Sequence, residues 1–266
     1  MNLKKFTFFM LALLLFIMPV LLLLLQSISS PWRFQSGESF HFQLESFQVL
    51  WSAANLLEAT LWSIVIGAGV LILNIAMGIA AGKALSTLSF KGKPLLEAFF
   101  LSPVLIPVLA VAMGLHLFMI QAGLADTVLG VILIHLVPTI PYSIRIFHNS
   151  YAQLGNRMLE QPIVLGAAPL QQLFTIELPL MKPAIRSVTF LTIVISLSQY
   201  AITSIIGGGR IVTLPMIFFP FLDTANTSVM AAFAVWFAMI PLAMYIIVEG
   251  LILLLPYSRK PWRNTR

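Results

Sequence analysis

Six apolar runs, at 6–28, 59–82, 95–120, 127–147, 187–206 and 228–255, hold only three charged side chains between them: Glu97, Arg145 and Glu249. A helix needs about 20 consecutive apolar residues to cross a hydrocarbon core ~30 Å thick. Each run is long enough. Inside lipid no water is available to the backbone, so a spanning segment must satisfy its own N–H and C=O groups. Barrel strands do this with apolar and polar residues alternating over about ten positions, whereas these runs are apolar throughout. The sequence therefore predicts an all-α integral membrane protein with six transmembrane helices.

Composition closes off the soluble alternatives. Apolar residues make up 59% of the 266 and charged residues 9%, against about 25% charged in a soluble domain. The mean hydropathy is +0.98. An ordinary globular enzyme, a disordered chain and a DNA-binding domain are all excluded. The chain has no cysteine, which removes disulfides, thiolate metal sites and thiol catalysis. Lys4 and Lys5 ahead of the first run also fit a secretory signal peptide. That run is longer than a normal signal core and no A-x-A site follows, so an uncleaved first span is expected. Residues 1–40 read as this span and the start of an external loop, and residues 41–266 as one transmembrane domain.

Where the basic residues fall gives the orientation. Thirteen of the 15 Lys and Arg lie on one side of the six-span arrangement, leaving only Arg33 and Arg210 opposite. Basic residues concentrate in cytoplasmic loops, so both termini are expected in the cytoplasm. The net charge of +6 is then a topology signal, and no nucleic-acid partner is implied.

Chemistry-bearing residues are sparse. No G-x-x-x-x-G-K-[ST] sequence is present, so the chain itself has no Walker-type phosphate loop. The triplet Gly207, Gly208 and Gly209 reads as an external flexible loop. His116 and His135 lie within runs, where imidazole usually bonds to a neighbouring helix. Glu58 and Glu97 fall at span ends. Glu249 lies deeper and is expected to snorkel or pair with Arg259. The alternative of an ion-coupled secondary transporter needs a coupling site near mid-membrane and usually internal repeats. Neither is evident. No metal, cofactor or catalytic residue is expected.

The longest stretch on the basic side runs from 148 to 186. Gly166 stands where a helix can end in a left-handed turn. Beyond it Leu170, Leu173, Phe174 and Leu178 recur at helical spacing. Such an amphipathic element can lie on the membrane, pack on its own bundle or enter a partner's groove. Glu160, Gln161 and Pro162, then Gly166, then Ile176, Leu178 and Pro179 keep the spacing E-A-A-x3-G-x9-I-x-L-P. This resembles the loop of binding-protein-dependent ABC importer permeases. Gln161 and Pro162 depart from it, and Pro162 fits best in the first turn of a helix.

Other segments are similar to the same family. They include Pro103 and Pro107 with Gly114, the stretch Pro141 to Arg145, and the glycine triplet followed by Thr213, Leu214 and Pro215. The last resembles the branch serving polyamines, thiamine, sulfate and ferric iron. The resemblance covers roughly residues 40–255. It implies a coupling helix between spans 4 and 5, in which Glu160, Gln161, Gly166, Ala167 and Leu170 face an ATPase. Ile176, Leu178 and Pro179 would pack against the permease. It also implies a cytoplasmic ATPase dimer, a second permease subunit and an external substrate-binding protein, in a bacterial inner membrane.

The fifth run is the most polar. At 100° per residue, Thr189, Thr192, Ser196, Gln199, Tyr200 and Thr203 share one arc, with Ser198 on the opposite face. A polar stripe does not face lipid. It packs on neighbouring helices or lines a wet pore, and Ser196, Gln199, Tyr200 and Thr203 are the expected translocation-path residues.

Overall fold

A computed structural model describes residues 3–30, 41–223 and 226–255. Its α-helices are α1 (Leu3–Ser27), α2 (Glu45–Ser52), α3 (Leu56–Thr87), α4 (Lys93–Leu105), α5 (Val108–Gln121), α6 (Val128–Val164), α7 (Pro169–Gln172), α8 (Leu178–Leu180), α9 (Lys182–Leu197), α10 (Tyr200–Gly207), α11 (Leu214–Phe218) and α12 (Thr227–Leu254). A π-helical turn, Leu173–Glu177, lies between α7 and α8, and a 3₁₀ turn, Phe219–Asp223, follows α11. Among the described residues no strand forms beyond one isolated bridge between Ser29 and Phe42.

Among the described residues four helices are long and apolar enough to cross a membrane, within α1, α3, α6 and α12, and a bent pair, Pro169–Leu180 with Lys182–Leu197, raises the total to five if it is one span. The other two expected spans are broken. The run at 95–120 is split at Ile106 and Pro107. Pro107 has no N–H to donate and forces the residue before it out of helical geometry. Ile106 accordingly sits at φ −98° and ψ 134°. At ~1.5 Å per residue, the 14-residue α5 falls short of a bilayer core. The run at 187–206 is split at Ser198 and Gln199.

The chain divides into two compact units, Met1–Thr60 with Leu214–Ile240, and Leu61–Thr213 with Pro241–Arg266. In the first, most of α1 is exposed and apolar on all sides, as expected of a helix whose solvent is lipid. Aromatic rings organise the rest. Trp51 of α2 meets Trp236 of α12 edge-on at 4.9 Å, an arrangement that adds about 0.5–1.5 kcal/mol beyond area burial. The Trp236 indole N–H donates to Thr60 Oγ1, and Phe221 stacks on Phe233 at 4.4 Å.

The second unit is built on α6. Its apolar core joins Ile66 and Val70 of α3, Ala112 and Met119 of α5, Val131 and Ile134 of α6, and Ile202 and Ile206 of α10. Helix α3 approaches α6 where it carries no side chain. A Cβ on Gly78 would lie 2.2 Å from Ser143 Oγ, and one on Gly82 would lie 2.7 Å from the backbone N of His148. Small residues four apart permit this kind of close crossing. Two hydrogen bonds lock the register: Asn74 Nδ2 donates to Thr139 Oγ1 at 2.8 Å, and Ser143 Oγ donates to the Asn74 carbonyl at 2.6 Å.

The expected pairing of Glu249 with Arg259 lies outside the described residues; among those described, Glu249 has another partner. It takes a two-pronged contact from Arg186 of α9 at 2.7 and 2.5 Å. A planar guanidinium matches a carboxylate in this way, and the pair ties α9 to the end of α12.

Candidate functional site

Helix α6 continues well past the expected end of its span. Gly155, at φ 73° and ψ 156°, kinks it, and the extension to Val164 carries the first half of the loop motif. Pro162 therefore lies in the closing turn of a helix rather than in a first turn, and it is buried. Its carbonyl accepts from Ala167 N–H at 2.9 Å, while Gly166 N–H reaches the Ile163 carbonyl at 3.0 Å. With Gly166 at φ 81°, these bonds make a Schellman C-cap, which satisfies carbonyls that a helix end leaves open.

That cap divides the segment into two faces. Leu159 and Pro162 point inward. Glu160, Gln161 and Gly166 are exposed and Ala167 is half-buried. Arg157, Glu160, Gln161, Val164 and Leu165 line a surface groove. Val164 and Leu165 are 85% and 86% exposed, and Leu170 is 70% exposed. Large side chains this open, rimmed by one acid and one base, mark an interaction surface.

The second half of the motif faces the helices. Gln172 is buried and donates from Nε2 to the Leu159 carbonyl at 3.0 Å. Ile176 and Leu178 are half-buried and Pro179 is buried. Between them Glu177 is only 1% exposed. Lys83 Nζ lies 2.6 Å from its Oε1, and the Tyr151 hydroxyl donates to Oε2 at 2.6 Å.

A second locus lies at the two broken helices. Ser198 and Gln199 draw on the carbonyl of Ile195 through their side chains, at 2.8 and 3.0 Å, in competition with the helix ladder. Gln199 takes φ −83° and ψ 79°, and Tyr200 N–H bonds to the Ser198 carbonyl at 3.0 Å. This is an inverse γ-turn, so the polar stripe read along one continuous helix is interrupted at its centre. Ser198 and Gln199 instead line a crevice with Ile106, Val108, Pro138, Tyr142 and Ile195.

Ser196 and Thr203 lie behind that crevice, buried. His135 of α6 bridges them, with Nδ1 2.9 Å from Ser196 Oγ and Nε2 2.9 Å from Thr203 Oγ1. Thr203 donates its own proton to the Gln199 carbonyl, so it accepts from Nε2–H, and Ser196 donates to Nδ1. The imidazole thus holds both arms of the bend, as the interhelical role read for it requires. Tyr200 is half-buried at the start of α10.

Residues 74–255 match the family of binding-protein-dependent transport system inner membrane components. The chain belongs to that family. It is 24% identical over 175 residues to a diacetylchitobiose uptake system permease protein of Streptomyces coelicolor, a match covering 65% of this chain and 58% of the relative. The chain thus spans little more than half of that relative's length. It is also 24% identical to the spermidine/putrescine transport system permease protein PotC of Haemophilus influenzae, over 87% of this chain and 89% of that one. Among solved structures, a bacterial ABC transporter involved in the import of the acidic polysaccharide alginate superposes with a TM-score of 0.69. That likeness, at 17% identity over 94% of this chain and 98% of the other, concerns the fold.

In this family member the residues that sequence reasoning missed are those joining distant elements. Glu177 falls at the unspecified position of the motif between Ile176 and Leu178, Lys83 counts in the sequence only among the 13 basic residues of one side, and nothing local marks Tyr151. The G-x-x-x-G at Gly78 and Gly82 was visible in the sequence, but its partner face on α6 was not.

Proposed function

We propose that this chain is the pore-forming permease subunit of a type I ABC importer, with six spans, two of them broken, and both termini in the cytoplasm. A second permease subunit, identical or homologous, completes the path, and an external substrate-binding protein delivers the cargo. ATP is hydrolysed on a cytoplasmic ATPase dimer and no chemistry occurs on this chain. Glu160, Gln161, Gly166, Ala167 and Leu170 form the coupling surface, while Ile176, Leu178 and Pro179 seat it. The crevice at the two helix breaks, walled by Ser198 and Gln199 with Ser196, Tyr200 and Thr203 around the bend, is this chain's share of the translocation path.

One observation carries the reading: an exposed apolar edge, capped at Gly166 and anchored from beneath, in a member of a binding-protein-dependent transport family. Closure of the ATPases pushes on that edge, and the anchored half passes the displacement to the helices around the crevice. Relatives named for diacetylchitobiose and for spermidine/putrescine share similar identity with this chain, and we assign the choice of cargo to the binding protein. The test is isolation of the tagged chain from its own membranes in mild detergent. An ABC ATPase should co-purify in stoichiometric amount and be released by Glu160→Lys. A transport-competent preparation lacking any ATPase would overturn the proposal.

A further inference from the structure

Glu177 is a charged side chain where holding a loop to a membrane bundle would require only apolar contact. Burying a carboxylate carries a desolvation cost that well-packed apolar residues avoid. Here both oxygens are satisfied, one by Lys83 at the end of α3 and one by Tyr151 on the extension of α6. Three elements are thereby fixed at one point, with directional bonds that apolar packing lacks.

The backbone is shaped to reach it. Leu173–Glu177 is a π-helical turn in which Leu178 N–H bonds to the Leu173 carbonyl. Pro179 cannot donate to the Thr175 carbonyl, so the ordinary α ladder is already interrupted there. Single π turns are rare and gather at functional sites. At the other end Gln172 ties the segment to Leu159. The exposed edge and the Glu177 anchor thus belong to one short, doubly tethered body.

We infer that the Lys83–Glu177–Tyr151 knot is the joint through which this loop moves α3 and α6, making Glu177 a positioning residue for coupling. The inference rests on the docking role proposed above. From the knot, α3 and α6 lead as a unit, through Gly78, Gly82 and Asn74, to His135 and the bend at Gln199.

The experiment uses the full transporter with Ser198→Cys as reporter, the only thiol on this chain. Its rate of reaction with a small methanethiosulfonate reagent is read by the mass of the chain, with and without vanadate-trapped Mg-ATP. Trapping should change the rate at least about fivefold, the lower end of a typical coupling. Glu177→Gln should abolish the change while the ATPase stays bound and the melting temperature holds, and Lys83→Met, which leaves the buried Glu177 with Tyr151 alone, should abolish it with a lower melting temperature. The exchanged pair Lys83→Glu with Glu177→Lys should restore it. A full response in Glu177→Gln overturns the inference. So does loss of the ATPase or of stability in both variants without recovery in the exchanged pair, which marks a folding anchor only. An ATPase-free wild-type complex, or a wild-type reporter indifferent to ATP, defeats the underlying reading and the inference with it.

Discussion

Gly78 and Gly82 set how closely α3 can lie on α6, and the two differ in what blocks a side chain. A methyl group on Gly78 meets Ser143 Oγ at 2.2 Å and the Phe147 ring at 2.8 Å, both side chains, which can give way at the loss of the Ser143 bond to Asn74 and a shift of the ring. A methyl group on Gly82 meets the backbone of Phe147 and His148, which cannot. Overpacking of this kind costs about 1–3 kcal/mol. Gly82→Ala should therefore lower the melting temperature of the detergent-solubilised protein more than Gly78→Ala. Gly250→Ala, with nothing within 4 Å, should leave it unchanged or raise it. Equal melting of all three would mean that α3 and α6 are not in this contact. Gly166 is the opposite case, with open space around it but φ 81°. An L side chain there costs about 1–2 kcal/mol in backbone strain. Gly166→Val should insert normally yet weaken ATPase pull-down, and an unchanged pull-down would remove Gly166 from the docking surface. The left-handed turn at Gly166 could be read from its local motif. The duties of Gly78 and Glu177 could not, because each depends on residues far along the chain.

The broken helices hold the second lesson. Continuous apolarity located six runs, and four of them appear as single helices. It is blind to a break that keeps the same composition. Pro107 accounts for the first break by its missing N–H, although apolarity alone runs one span through it, and the γ-turn at Gln199 is made by side chains borrowing one carbonyl, which no periodicity records. Rotation by 100° per residue holds only within a helix, so α9 and α10 have separate phases. The labelling pattern should follow the bend. Cysteines at Ser198 and Gln199, which line the crevice, should react quickly with small aqueous thiol reagents. Those at Ser196 and Thr203, held behind it by His135, should react at least about tenfold more slowly, since ~1.4 kcal/mol of opening free energy is enough for that factor. Equal rates at Ser196 and Ser198 would show that the bend does not separate a wet face from a packed one.

For the whole molecule, orientation rests on charge alone. Basic residues near span ends act during insertion, so their bias reports topology independently of how the helices later pack. The bias is 13 to 2, and in the six-span arrangement proposed here the loop carrying Glu160 and Gly166 is expected on the same side as the turn between α3 and α4. If that side were external, the exposed edge at Leu165 and Leu170 could not meet a cytoplasmic ATPase. Single cysteines at Ser89, Gln171 and Gln43 test the arrangement, because all three positions are exposed and the chain contributes no thiol of its own. Burial therefore does not explain a silent site. In intact cells an impermeant maleimide should label Gln43→Cys and spare Ser89→Cys and Gln171→Cys, and all three should react once the membrane is opened. External labelling at Ser89 with silence at Gln43 would invert the molecule and remove the docking role from the loop. External labelling at both Gln43 and Gln171 would mean that the number of crossings between α2 and α7 is even rather than three, and the six-span arrangement would fail.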